Sequence, residues 1–246
     1  MSRAVKIVGA VAVVLLVAGG AFWYVALRDT APPEADLSTL DDDLAAGGEV
    51  DRSTTDRSTT DDGAERTGLD GNWSVVATVD GFAGYRITEL YGPGATLETE
   101  VAGRTPNVTG SFAIDGTTIT DGRLDVDLTT LESDRSRRDA TLKIRGLETD
   151  TYPTATFTFA GPVELGALPA EGEEVSVTVD GELAMHGQTR PVALALTAKW
   201  SGDRISIQGS TPIVLADYDI EAISIEQFVA VADEGTMEFV VLFERT

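Results

Sequence analysis

One histidine, no cysteine and one short run of arginines are the groups from which any chemistry of this 246-residue chain must be built. A His-based metal site, or a serine hydrolase relay, would have to rest on His186 alone. His186 lies in the segment Met185–Arg190, whose Gly187 marks a turn between two strands, where a histidine usually bonds to backbone or solvent. The absence of cysteine removes disulfides, thiolate metal sites and thiol nucleophiles. Neither a phosphate-binding Gly-rich loop followed by Lys nor a dinucleotide fingerprint occurs. Carboxylates are too abundant for any pair to stand out. Asp217, Asp219 and Glu221 alternate with Tyr218 and Ile220; a calcium site is conceivable there, but a strand with one solvated face is the plainer reading. These residues favour a binding protein over an enzyme, with no catalytic residue, metal or cofactor assigned. A carboxylate- or His186-based activity is the enzymatic alternative.

The chain carries 41 acidic and 18 basic residues, a net charge of −23. Such a charge repels nucleic acid and anionic lipid surfaces as general partners. Within this acidic background Arg135, Arg137, Arg138, Lys143 and Arg145 fall in eleven residues. They are five of the twelve basic residues beyond Leu69. The guanidinium fork suits bidentate contact with a phosphate-type head group, so the cluster is a candidate head-group site. Local pairing with Glu132, Asp134, Asp139 and Glu148 is the alternative.

The elements that must position these groups are strands. Period-2 alternation recurs from Asp70 onward, broken by turn residues at short intervals, as in antiparallel sheets. Val108, Gly110, Phe112 and Ile114 share one face, and Asp115-Gly116 supplies a turn. Leu124, Val126 and Leu128 form a second row; Ala155, Phe157 and Phe159 a third; Val175, Val177 and Val179 a fourth, leading through Asp180-Gly181 to a fifth, Leu183 and Met185. Val192, Leu194 and Leu196, then Ile205 and Ile207, then Met237, Phe239, Val241 and Phe243 complete eight or nine strands. The one helical piece lies around Arg138 to Arg145. Nothing alternates as βαβ. A side-chain-filled sandwich and an eight-stranded barrel able to hold a small ligand both satisfy this pattern.

Ahead of the strands, Ile7 to Leu27 is an uncharged run of 21 residues. As a helix it is about 31 Å long, the thickness of a bilayer core. Arg3 and Lys6 precede it and Phe22, Trp23 and Tyr24 sit near its far end. The expected arrangement is a single-pass cell-membrane protein with a cytoplasmic N-terminus and an extracytoplasmic domain. A signal peptide cleaved near Gly19-Gly20-Ala21 is the rival. Residues 29–69 lack hydrophobic period, hold Pro32-Pro33 and Asp41 to Asp43, and repeat Asp51 to Thr55 at Asp56 to Thr60. They read as a disordered acidic linker. The expected organisation is thus an anchor at 1–28, a linker at 29–69 and a folded domain at 70–246.

Several segments of that domain together resemble the YceI-like family of exported, lipocalin-like, polyisoprenoid-associated barrels. They are Gly84-Tyr85-Arg86-Ile87, Val108-Thr109-Gly110-Ser111-Phe112, Arg138-Asp139, Tyr152-Pro153-Thr154-Ala155-Thr156-Phe157, and the run from Gly181 through Met185-His186-Gly187-Gln188-Thr189-Arg190 to Val192. The last is the most specific, and order and spacing match from about Leu69 to Arg245. The anchor followed by an acidic tether is similar to actinobacterial members; Tyr218 to Asp233 matches only loosely. The resemblance implies an all-β antiparallel lipocalin-like β-barrel of about eight strands with one short helix, preceded by the transmembrane helix and linker. It selects barrel over sandwich and implies a tunnel for a polyisoprenoid-type ligand, a quinone or prenyl phosphate among the possibilities. Phe112, Ile114, Leu142, Phe157, Phe159, Leu194 and Phe239 are the expected lining, and Arg135, Arg137, Arg138, Lys143 and Arg145 the expected head-group contacts. The expected partners are an isoprenoid lipid and, through residues 7–27, the membrane. A cell-envelope structural or protein-interaction module with a plugged barrel is the alternative function.

Overall fold

A computed structural model describes residues 31–46, 68–91, 97–225 and 229–246 of the chain. The anchor expected at residues 7–27 lies outside them. Twelve strands form one antiparallel sheet. They are β1 (Gly71–Val76), β2 (Phe82–Tyr91), β3 (Leu97–Thr105), β4 (Val108–Asp115), β5 (Thr118–Asp127), β6 (Thr154–Phe159), β7 (Val163–Glu164), β8 (Val175–Met185), β9 (Gln188–Ser201), β10 (Arg204–Val214), β11 (Ser224–Ile225) and β12 (Val229–Arg245). The path β1-β4-β5-β6-β8-β9-β10-β12 returns to β1, so eight strands close a barrel. The β2–β3 hairpin lies outside that ring order, against the first half of β12.

Closure depends on the length of β12. One edge pairs with β10 from Glu234 to Glu244. The other pairs with β1 over Leu242 to Arg245 and with β2 over Val229 to Val240. Beyond β3 the wall continues through a backbone bridge between Arg104 and Glu132, in which each amide donates to the other's carbonyl at 2.8 and 2.9 Å. A lid follows: a short helix, Ser136–Thr141, runs into a wide turn at Leu142–Gly146.

The period-2 rows behave as alternation requires. Val179, Leu183 and Met185 on β8, Leu124 and Val126 on β5, and Val241 and Phe243 on β12 are all buried in one core. Two turns realise their sequence signals differently. His186 and Gly187 both have positive φ, 51° and 75°, the conformation of a two-residue primed hairpin turn. At Asp115-Gly116 only Gly116 does, because Asp115 still pairs with Thr118 as the last residue of β4. The stretch Asp217 to Glu221 is not a strand: Leu215–Tyr218 is a 3₁₀ turn closed by Asp219 in the left-handed region.

The segment 31–46 departs most from expectation. This part of the linker expected at 29–69 is a strap on the barrel's outer wall, while residues 47–67 lie outside the described residues. Asp36 caps a 3₁₀ turn (Leu37–Leu40) by accepting from the Ser38 amide at 2.8 Å, and a helix (Asp41–Ala46) continues it. Leu37, Leu40 and Leu44 fall on one face and pack on Phe82, Val240 and Leu242. The backbone is tied down as well. Ala35 N–H donates to Glu238 Oε2 (3.1 Å), Leu37 N–H to Gln208 Oε1 (2.9 Å), and Arg86 Nη2 to the Pro32 carbonyl (2.8 Å). Three leucines on one face supply apolar burial that composition had hidden behind the aspartates. Leu40 is fully buried, so Leu40→Ala should cost the strap about 2–5 kcal/mol. Hydrogen exchange should then show 31–46 opening while β8 and β9 keep their protection.

Candidate functional site

The barrel has two unlike halves. At the end closed by β1, Trp73, Phe112 and Phe243 fill the interior, with Phe112 and Phe243 ring centres 4.8 Å apart. Trp73 is fully buried and donates its indole N–H to the Leu69 carbonyl at 2.9 Å. Only a cavity of about 70 Å³ remains there, lined by Phe112, Ile114 and Phe159 among others. At the other end a cavity of about 340 Å³ opens between the β2–β12 wall and β5, β6, β8 and β9. Leu142, Phe157, Leu194 and Phe239 line it, with Leu124, Val126 and Met237. Of the seven residues expected to line a tunnel, four therefore meet in the large cavity and three in the small one.

Glycines keep the large cavity open. A Cβ on Gly209 would lie 2.4 Å from the Phe239 ring, and one on Gly181 would lie 2.4 Å from the Phe157 ring. Each ring therefore lies flat over a neighbouring strand instead of crossing the lumen. The wall is almost wholly apolar, so water there would lack the two to four partners that hold an interior water.

Polar groups gather at the mouth. Glu89, buried on β2, receives Arg138 Nε at 2.7 Å and Nη2 at 3.1 Å, and it accepts from the Tyr91 hydroxyl. Arg138 also pairs with Asp134. Burial works against the guanidinium charge, but the two carboxylates overcome it and hold Arg138 above its ordinary range. Asp139 receives the Ser133 amide and hydroxyl at 2.9 and 2.6 Å, fixing the start of the lid. Burial pushes the Tyr85 hydroxyl well up, so that cavity neighbour is neutral.

The five-residue basic cluster thus divides. Arg138 is committed to Glu89 and Asp134, and Arg135 lies 3.4 Å from Asp134. Arg135, Arg137 and Arg138 line the cavity, whereas Lys143 and Arg145 are not among its lining. Pairing with Glu89 was not legible, since the partner is 49 residues away; Asp134 was. A second ion network, Arg86 with Glu100 and Glu238 and Arg104 with Glu238, lies under the strap.

His186 is not part of the cavity wall. Its Nδ1 is 2.8 Å from the Tyr218 carbonyl, its ring meets Tyr152 edge-on, and its Nε2 faces Glu148 at 3.9 Å without a hydrogen bond. Asp219 is engaged by Gln188 at 2.6 Å. Among the described residues no three histidine or carboxylate side chains converge as a metal site.

With this geometry in view, comparison with known proteins decides the family. The model of the YceI-like domain matches residues 85–243, from β2 almost to the end of β12. The chain belongs to the YceI-like family. Among its curated relatives, a UPF0312 protein of Vibrio parahaemolyticus is 28% identical over 138 residues, which are 52% of this chain and 69% of that one. A UPF0312 protein of Shewanella denitrificans is 27% identical over 130 residues, 49% of this chain and 64% of its own. A solved polyisoprenoid binding domain from Saccharophagus degradans shares the fold. Its TM-score is 0.56 at 23% identity, covering 71% of this chain and 98% of that domain. This YceI-like barrel is therefore an antiparallel, lipocalin-like barrel of eight strands.

Arg138→Ala would leave Glu89 buried and unpaired, so it should lower unfolding free energy by about 3–5 kcal/mol. Arg137→Ala, on an exposed residue without an ion pair among the described residues, should stay within about 0.5 kcal/mol. Denaturant titration of both variants measures the difference.

Proposed function

We propose that this YceI-like protein is an extracytoplasmic lipid-binding protein that holds one polyisoprenoid-type chain in the large cavity. The observation that carries this is the cavity itself. An apolar space of about 340 Å³ that the protein's own side chains leave open would cost about 8 kcal/mol at about 24 cal/mol per Å³. That is comparable with the whole stability of a domain, so an apolar guest has a large driving force to enter. The volume also lies in the range of small-molecule sites, about 300–1,000 Å³. The branched and aromatic wall, formed by Leu124, Val126, Phe157 and Leu194, suits a methyl-branched chain. The solved relative described as a polyisoprenoid binding domain supports the same ligand class.

In this reading the chain enters by the lid and its head group stays at the mouth. There Arg137 and Arg135 are its contacts, while Arg138 holds Glu89 and the lid in place. Residues 7–27 hold the protein in the membrane with the barrel outside the cytoplasm, as the flanking charges of that segment favour. The apolar wall, and a His186 that among the described residues meets only the Tyr218 carbonyl, the Tyr152 ring and Glu148, favour binding over catalysis. The aromatic plug of Trp73, Phe112 and Phe243 is what a side-chain-filled interaction module would show throughout; here it occupies one end only.

The test uses the full chain in lipid nanodiscs and a prenyl chain carrying an environment-sensitive fluorophore. Saturable binding of one probe per protein is expected. Leu194→Trp, which fills the wall, and Gly209→Ala, which drives the Phe239 ring into the lumen, should each weaken it at least about tenfold. Displacing two methylenes from the tunnel already accounts for that factor. Binding that both variants leave unchanged would rule the cavity out.

A further inference from the structure

The lid combines an exposed aliphatic side chain with several cations. Ile144 is 71% exposed, while Leu142, two residues earlier, lines the cavity. Lys143 and Arg145 flank Ile144, and the exposed Arg137 stands at the start of the same helix. No ion pair engages Arg137, Lys143 or Arg145 among the described residues, in a chain of net charge −23. The neighbouring acids are largely occupied. Asp134 pairs with Arg138, Asp139 holds Ser133, and Glu148 faces His186; among the described residues Glu132, Asp150 and Glu221 are further acids close to the lid in sequence or at the cavity.

We propose that this lid is a membrane-docking surface: Ile144 inserts into the interface of an anionic bilayer while Arg137, Lys143 and Arg145 contact its lipid phosphates. The proposal rests on the reading of the cavity as a lipid site and adds how a lipid reaches it. An exposed aliphatic side chain ringed by cations is the arrangement that interfacial segments use. Basic residues act on a negative surface only within about 8 Å at physiological salt. The three lid cations therefore meet the lipid phosphates directly, while most of the barrel's negative charge is screened. The net charge of −23 disfavours approach by acidic faces, whereas the lid presents three cations. Docking there places the cavity mouth against the bilayer, and a prenyl chain passes from lipid to tunnel without crossing water. The polar ring of Glu89, Tyr91 and Arg138 then sits at head-group depth.

Because the chain has no cysteine, single labels are clean. The full chain is reconstituted into vesicles of phosphatidylcholine, alone or with phosphatidylglycerol, and labelled with bimane at Ile144→Cys or Arg145→Cys. Leu168→Cys, in the loop over the plugged end, is the control. Lipids bearing a nitroxide on the acyl chain report contact. The expected result is quenching at positions 144 and 145 in phosphatidylglycerol vesicles, little in pure phosphatidylcholine, and none at 168. Quenching should fall severalfold in high salt and in the variant Arg137→Ser/Lys143→Ser/Arg145→Ser, read at position 144. Labels at 144 and 145 that stay aqueous, or quenching indifferent to lipid charge, would overturn the docking surface. The prenyl-probe titration is read separately, so probe binding without quenching removes the docking surface alone, and quenching without probe binding removes the tunnel reading.

Discussion

The fold depends on one strand being shared. β12 closes the ring with β1 through its last residues and carries the β2–β3 hairpin through its first. A strand that paired with β1 along its whole length would give a short barrel filled by Trp73, Phe112 and Phe243. Because β12 changes partner near Val240, the barrel extends beyond that plug. The added wall faces a space that the aromatic residues of the closed end cannot reach. Of the two closures considered from the sequence the barrel is the one formed, filled at one end and hollow at the other.

What keeps the second end hollow is local. Phe157 and Phe239 are large enough to block the lumen, but glycines on the adjacent strands let their rings lie against the wall. The lumen is bounded at the mouth by a salt-bridged ring in which Arg138 joins β2 to the lid. Removing such a charge leaves a buried carboxylate, so the pair ties the lid to the barrel. On the opposite side of the β2–β12 wall, Glu238 takes charges from Arg86 and Arg104 and a hydrogen bond from the strap. One wall thus separates a lipid-like interior from a charged, covered exterior.

Much of this was legible in the residue pattern and some was not. Alternation located the strands from β4 onward and their inward rows, because a two-residue period leaves no other arrangement for Leu124-Val126 or Phe157-Phe159, but it did not mark β1, β2 or β3. It could not divide lining from plug: Phe112 and Phe157 occupy equivalent rows, and only the position along the barrel separates them. The strap carried a signal in the 3–4 spacing of Leu37, Leu40 and Leu44, which the surrounding acidic residues obscured. Asp217 to Glu221 alternates like a strand but turns, since Tyr218 is needed beneath the His186 hairpin. The Arg138–Glu89 pair had no local signature, because three strands of sequence, β3 to β5, separate its partners.

Native mass spectrometry of the full chain, released gently from the membrane of its own host, reads directly whether the cavity carries a lipid. The account predicts one isoprenoid-containing molecule per protein, lost or sharply reduced in Leu194→Trp. A protein that carries no lipid, and takes none when incubated with prenyl phosphates and quinones, would contradict it.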